Sequence, residues 1–139
     1  MARRAKNLSV SQFQDLMANI PKAVADELVS AVESGAETMA GAMRSAVATG
    51  IDGRNELQES IRVTDGKHPL RKVIRAGGPL TTKDTPRGPY DYAHAVEFGT
   101  QEVTAQPFFY PSYRLLKNKL QAAINRKARK AIEKVVPLK

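Results

Sequence analysis

Two apolar stripes at helical spacing, one near each end of the chain, constrain this sequence more than any other feature. Val24, Leu28, Val32, Met39, Met43 and Val47 recur at steps of three to four residues or their multiples, with Ala31, Ala36, Ala40 and Ala42 filling in between. A stripe of this kind is one face of a helix and has to be covered. It predicts a helix running to about Thr49, with Gly50 available as a left-handed cap. Near the other end Leu115, Leu116, Leu120, Ala123, Ile124, Ala128, Ala131, Ile132 and Val135 repeat the pattern. Lys117, Lys119, Arg126, Lys127, Arg129, Lys130 and Lys134 occupy the remaining faces. The prediction there is a basic amphipathic helix of about six turns, prepared by Pro107 and Pro111 and ended by Pro137.

Ahead of the first stripe, Ser11 and Gln14 have capping-box spacing, and Phe13, Leu16 and Met17 share a face. They predict a short first helix, and Pro21 suits the first turn of the next one. The Ala- and Gly-rich run Gly35, Ala36, Ala40, Gly41 and Ala42 favours close approach of another backbone over a lightly packed surface.

Between the stripes the period changes. Leu57, Glu59, Ile61 and Val63 alternate with Gln58, Ser60 and Arg62, which reads as a strand. The turn-prone residues 64–69 separate it from a second β-like run, Leu70 to Ala76, so an antiparallel hairpin with a loop of about six residues is expected. Residues 77–89 hold three prolines and three glycines and predict a long exposed loop suited to contact. Tyr90 to Thr100 reads as a short helix begun at Asp91 and closed by Gly99, in preference to a last strand.

A chain of 139 residues with 42% apolar content is one domain with one core. It has no cysteine, so no disulfide and no thiolate chemistry, and the isolated His68 and His94 make no zinc site. The apolar stretch from Ala23 to Val47 is broken by Asp26, Glu27, Glu33, Glu37 and Arg44 and cannot span a bilayer. The basic start Met1 to Lys6 is followed by Asn7, Ser9, Ser11, Gln12 and Gln14 rather than by the apolar core of an export signal. A soluble protein made in the cytoplasm is expected, with residues 1–8 as a basic arm.

The net charge of +8 is unevenly spread. Residues 7–113 carry ten basic and thirteen acidic side chains, whereas residues 114–139 carry nine basic and one acidic. The basic segment can face nucleic acid, an acidic partner or solvent.

Catalytic patterns are absent. There is no nucleophile elbow and no phosphate-binding loop, and Gly77-Gly78 lacks the following helix of a nucleotide site. His94 and Glu97 lie one helical turn apart, yet acid-base chemistry also needs a pocket and a positioned partner. Nucleic-acid binding has more support. Arg126, Lys127, Arg129 and Lys130 supply sequence-independent phosphate attraction, with Phe108, Phe109, Tyr110 and Tyr113 just before that helix. No recognition helix or aromatic RNA-binding motif accompanies them.

The segment Tyr92-Ala-His-Ala-Val-Glu-Phe-Gly-Thr100, then Ala105-Gln-Pro-Phe-Phe-Tyr-Pro111 and a basic terminal helix, resembles the HK97 gp10-like family of bacteriophage tail and neck components. Tyr92, Ala93, Val96, Glu97, Gly99, Thr100, Ala105, Pro107, Phe108 and Pro111 carry the resemblance. Tyr110 departs from it, standing where a basic residue is expected in many members. The resemblance implies a structural virion protein without enzymatic activity or cofactor. It implies a homo-oligomeric ring, hexameric by preference, in the tail or head–tail neck, meeting neighbouring neck and tail-tube proteins and, transiently, genomic DNA in the channel. Terminator, neck ring and completion factor all stay open. A small non-specific DNA-binding protein is the alternative.

The expected fold is α+β: a long N-terminal helix and a basic C-terminal helix on a small antiparallel sheet, with residues 77–89 projecting. Within it Gly99 would end its element at positive φ, Thr100 would satisfy freed backbone, and Pro107 and Pro111 would set the approach to the last helix. Phe108 would bury against the sheet, and Glu97 would serve as an intersubunit or capping carboxylate.

Overall fold

The computed structural model describes Ser11 and residues 22–135. The predicted first helix around Phe13, Leu16 and Met17, the basic arm of residues 1–8, Pro21 and the Pro137 stop lie outside the described residues. Helix α1 spans Lys22–Ala46, α2 Arg54–Ser60, α3 Tyr92–Phe98 and α4 Tyr110–Val135. Strands β1 (Arg62–Asp65) and β2 (Lys72–Arg75) form one antiparallel hairpin, and β3 (Thr82–Thr85) and β4 (Gly88–Asp91) form another. The architecture is α+β, with two separate two-stranded ribbons in place of the single sheet.

The two long helices run antiparallel against each other, because each has one apolar stripe to cover. Val24 and Leu28 of α1 meet Ala131 and Ala128 of α4, under Leu70. Farther along, a Cβ added to Gly35 would sit 3.2 Å from Ile124 Cδ1, so the close approach read from the Gly/Ala run is made here by α4. Toward its C-terminal end α1 turns Met39, Ala40, Met43 and Val47 into the main core with Leu57, Ile61, Ala93 and Phe108. Leu116 and Leu120 of α4, Val63 and Ile74 of the first hairpin, and Tyr92 and Val96 of α3 close around them. Helix α1 stops at Ala46, and the carbonyls it leaves free are taken by side chains: Gln58 donates to Arg44 O at 3.0 Å and Arg54 to Val47 O at 3.2 Å. Gly50 follows at positive φ.

The strand expected from Leu57 begins late. Residues 54–60 are helix, and pairing starts at Arg62, opposite Arg75. Leu57 and Ile61 stand four residues apart, a spacing that satisfies a helical turn as well as alternation. Burial separates the two. Leu57, Ser60 and Ile61 are all sequestered, whereas Glu59 is exposed, a pattern no flat strand gives. The hairpin itself stands, with six residues, 66–71, between the strands.

Residues 77–89 are exposed along β3 but are not structureless. A single 3-10 turn, Pro79–Thr81, leads into β3, and β4 returns antiparallel with Thr82 opposite Asp91. A buried polar knot holds this ribbon. Asp91 accepts from the backbone of Gly78 (2.8 Å) and Ala93 (3.0 Å) and from the Thr81 hydroxyl, while Arg62 donates to Gly77 O at 2.7 Å. Gly77 N donates to the Ser60 hydroxyl at 3.0 Å. Thr81 and Ser60 are fully buried, and a Cβ on Gly77 would meet the Asp91 carboxylate at 2.6 Å. Asp91 is therefore both the N-cap of α3 and the clasp of the second hairpin.

Burial works to raise the Asp91 pKa. The hydrogen bonds from Thr81, Gly78 and Ala93, together with the Arg62 charge, outweigh it and hold the carboxyl below its ordinary value of 3.8. A depressed folded-state pKa gives stability that is complete above the unfolded value and is lost as pH falls through the folded one. Asp91→Asn is expected to flatten the acid limb of a stability–pH curve below about pH 4; an acid limb identical to wild type would remove Asp91 from it. Phe108→Ala is expected to lower stability by about 3–5 kcal/mol in urea unfolding, because the ring it removes is 1% exposed at the centre of the main core.

Candidate functional site

The segment 92–111 connects α3 to α4, and its side chains form one hydrogen-bonded corner. Helix α4 begins with amide groups that have no intrahelical acceptor. Glu97, on the last turn of α3, covers the first of them together with the two amides that lead into the helix. One carboxylate oxygen accepts from Phe108 N (2.8 Å) and Phe109 N (2.9 Å), and the other accepts from Tyr110 N (3.0 Å). Negative charge at a helix N-terminus is favoured by the macrodipole, and charged acceptors make the stronger hydrogen bonds. Glu97 is 7% exposed.

The loop between the two helices is wound by local bonds. Gly99 sits at φ 76 and donates to Ala95 O at 2.7 Å, closing α3. A Cβ there would lie 2.8 Å from Ala105 N and 3.0 Å from Val103 O, so glycine is required by space as well as by φ. Thr100 accepts through its hydroxyl from Val103 N at 3.0 Å and donates through its own amide to Val103 O at 2.9 Å. Gln106 N returns to Val96 O at 2.8 Å. Pro107 is exposed, Pro111 occupies the first turn of α4, and Ser112 donates to Phe108 O at 2.8 Å. Phe108 is thereby driven into the core.

Tyr92 reaches across to α2, its hydroxyl donating to Gly53 O at 2.7 Å. Gly53 adopts φ 75, and a Cβ on it would collide with that hydroxyl at 2.3 Å. Burial raises the Tyr92 pKa first, and the nearby Glu56 and Asp91 charges raise it further. Val96 is half-buried against the core. Motif residues Tyr92, Val96, Glu97, Gly99, Thr100 and Phe108 thus converge on one corner.

His94 and Glu97 do not form a pair. His94 is exposed and its ring lies tilted against Phe98, with centroids 4.7 Å apart, whereas both Glu97 oxygens are engaged by backbone amides. What the corner presents outward is aromatic: Phe98 is 56% exposed and Tyr110 47%, with their rings 5.9 Å apart and Phe109 against Tyr110 at 5.3 Å. Tyr110, where a basic residue was expected, is part of this ledge. Its neighbour Phe98 was not singled out by its sequence context, because the face of a seven-residue helix is not legible without its packing. Asp91 and Thr81 were not legible as a pair, because Thr81 lies in a run that reads as loop and Asp91, ten residues on, reads as the start of a helix.

Arg126, Lys127, Arg129 and Lys130 are all exposed on α4, remote from the corner along the helix. Lys127 and Lys130 share a shallow hollow with Glu27 and Lys134, and Lys134 reaches Glu27 at 3.5 Å. Among the described residues no three His, Cys, Asp or Glu side chains are gathered as a metal would require. Among them no helix is long and apolar enough to cross a membrane.

The described residues thus present a hydrogen-bonded corner, an exposed aromatic ledge and a basic helix. The chain matches the family model described as "Bacteriophage HK97-gp10, putative tail-component" over residues 11–99, well over half its length, and belongs to that HK97-gp10-like family. Its role is that of a structural phage-tail protein, in the virion. The match ends at Gly99, so Tyr92, Ala93, Val96, Glu97 and Gly99 lie inside it, and Thr100, Ala105, Pro107, Phe108 and Pro111 beyond. No curated protein and no solved structure matches the chain.

Replacing Glu97 by Gln puts an amide group where one of the two accepting oxygens stood. The expected cost is about 1–3 kcal/mol of stability by thermal or urea unfolding; an unchanged midpoint would show that the amides of α4 do not depend on the carboxylate. Gly99→Ala is expected to destabilise as well, by a positive-φ and a contact penalty together, while Gly41→Ala, with nothing within 4 Å, should not.

Proposed function

We propose that this chain is one subunit of a closed ring at the end of the tail or in the head–tail neck, serving as terminator, neck ring or tail-completion component, with six-fold symmetry preferred. Membership of a phage tail-component family is the observation that carries the reading. The exposed Phe98–Tyr110 ledge supports it, since adjoining aromatic rings left in water on an otherwise packed corner suit a protein contact. Glu97 holds that ledge at a fixed angle to α4, which makes it a preorganised contact rather than a pliable one. The partners would be copies of the chain and the neighbouring neck and tail-tube proteins, with α4 free to pass close to DNA in the channel. Of the two roles open to Glu97, its amide bonds favour the capping one, and the contact between subunits would then fall to the aromatic side chains that it positions.

The second reading is non-specific DNA binding through the exposed Arg126, Lys127, Arg129 and Lys130. Light scattering on the eluting protein, run beside a DNA-binding titration at several salt concentrations, separates the two. Concentration-dependent rings with weak DNA binding are expected. A monomer binding DNA tightly, with affinity falling steeply in salt, would replace the ring by the second reading. Phe98→Asp with Tyr110→Asp is expected to block incorporation into tails while leaving unfolding unchanged, as both side chains are largely exposed; normal incorporation would take the ledge out of the assembly.

A further inference from the structure

The outer faces of α1 and α4 carry opposite charges at the same spacing. On α1, Asp26, Glu33 and Glu37 are all exposed and stand seven and four residues apart, which places them on one line along the helix. The side of α1 that meets α4 holds Leu28, Ala31 and Gly35, about half a turn round from that line. On α4, Lys119, Arg126 and Lys130 are exposed and are also seven and four residues apart. Leu115, four residues before Lys119 on the same line, is 80% exposed, the most of any large apolar side chain described. Gly41, four residues beyond Glu37, would have nothing within 4 Å of an added Cβ, so no contact inside the chain calls for a glycine there. Glycine weakens a helix interior, and an open notch is what its presence leaves.

We propose that a second copy of this chain lays the Leu115–Lys130 line of its α4 antiparallel along the Asp26–Gly41 line of α1, the contact that would join subunits of the ring proposed above. Set side by side in that sense, Leu115 falls opposite Gly41, Lys119 opposite Glu37 and Lys130 opposite Asp26 in a single register. Arg126 comes within about one turn of Glu33. Within one chain, α1 and α4 are already antiparallel, with Lys134 at Glu27 and Ile124 at Gly35. The register between copies differs from that one by three to five residues, about one turn or a little more, so neighbouring subunits point the same way with only a small step between them. A contact using two different faces of each subunit is heterologous and continues from copy to copy until it closes.

Other charges lie on these faces: Lys22, exposed four residues before Asp26, comes level with Glu133 and Lys134 in this register. Arg44, at the far end of the acidic line, donates to Ile61 O at 2.8 Å and leaves Glu37 at 3.9 Å, 57% exposed. Lys72, which faces Glu33, is held by Asp65. Glu133 is the one acidic residue on α4. Single exposed ion pairs contribute little, so the contact depends on several together with Leu115 in the notch and weakens in salt.

The test uses the full chain, with light scattering across a concentration series at low and high salt. Glu33→Lys with Glu37→Lys, and separately Lys119→Glu with Arg126→Glu, are each expected to weaken association about tenfold or more and to leave Tm unchanged. Mixing the two variants is expected to restore full-size assemblies of alternating subunits, because both kinds of contact are then complementary. Leu115→Asp is expected to weaken association without rescue. Wild-type rings that both reversals leave intact would overturn this contact and leave the ring standing. Loss without rescue on mixing would overturn it also, as would a Lys119/Arg126 reversal that abolishes DNA binding but not assembly. A wild-type chain that stays monomeric at every concentration would remove the ring and the contact with it.

Discussion

The carboxylate of Glu97 on the amides of Phe108, Phe109 and Tyr110 is the interaction on which the arrangement depends. Helix α4 starts in a partly buried corner, where water cannot serve all of its first donors, and an uncovered N–H there is costly. One side chain answers the first of them, at Tyr110, and the amides of the two residues that lead into the helix. In doing so it fixes the distance and angle between α3 and α4, and with them the position of Phe108. That ring fills the space between α1, α2 and α3, so a polar contact at the margin decides how the apolar core closes.

The second organising fact is that the two long helices cover each other. Each has a stripe, and in a small domain the least apolar surface is left in water when the stripes face. Gly35 lets Ile124 in close, and the hairpin β1–β2 then lies across what remains open at the Met43 end. The N-terminal half of the pair has a thinner core of Val24, Leu28 and Ala131 under Leu70. It is also the half whose outer surface carries most charge.

Asp91 does for the second hairpin what Glu97 does for α4. Strand β3 is exposed throughout and buries nothing that would fix its place. A ribbon of that kind is marginal in isolation. It is held at its root, by Asp91, Thr81, Ser60 and Arg62 exchanging hydrogen bonds with the backbone of Gly77 and Gly78. Two carboxylates on either end of one short helix, α3, thus brace the parts of the molecule that apolar burial does not reach.

The sequence by itself determined the two long helices, the presence of a first hairpin, the caps of α3 and the motif that pointed to a phage tail component. Each of these rests on a local rule: helical period, turn composition, a capping aspartate, a glycine at positive φ. Tertiary structure decided the rest. Residues 57–61 became helix because Leu57, Ser60 and Ile61 had a core to enter on one side, a choice their spacing left undecided between helix and strand. Residues 77–89 became a hairpin because Asp91, the last residue of β4, reaches back ten to thirteen residues to Thr81 and Gly78 and clasps the ribbon at its root. The partner of Glu97 was likewise beyond the reach of sequence. A carboxylate's role is set by which donors the fold brings within 3 Å, and here those donors lie eleven to thirteen residues away, across a loop whose path only Gly99 and Thr100 make possible.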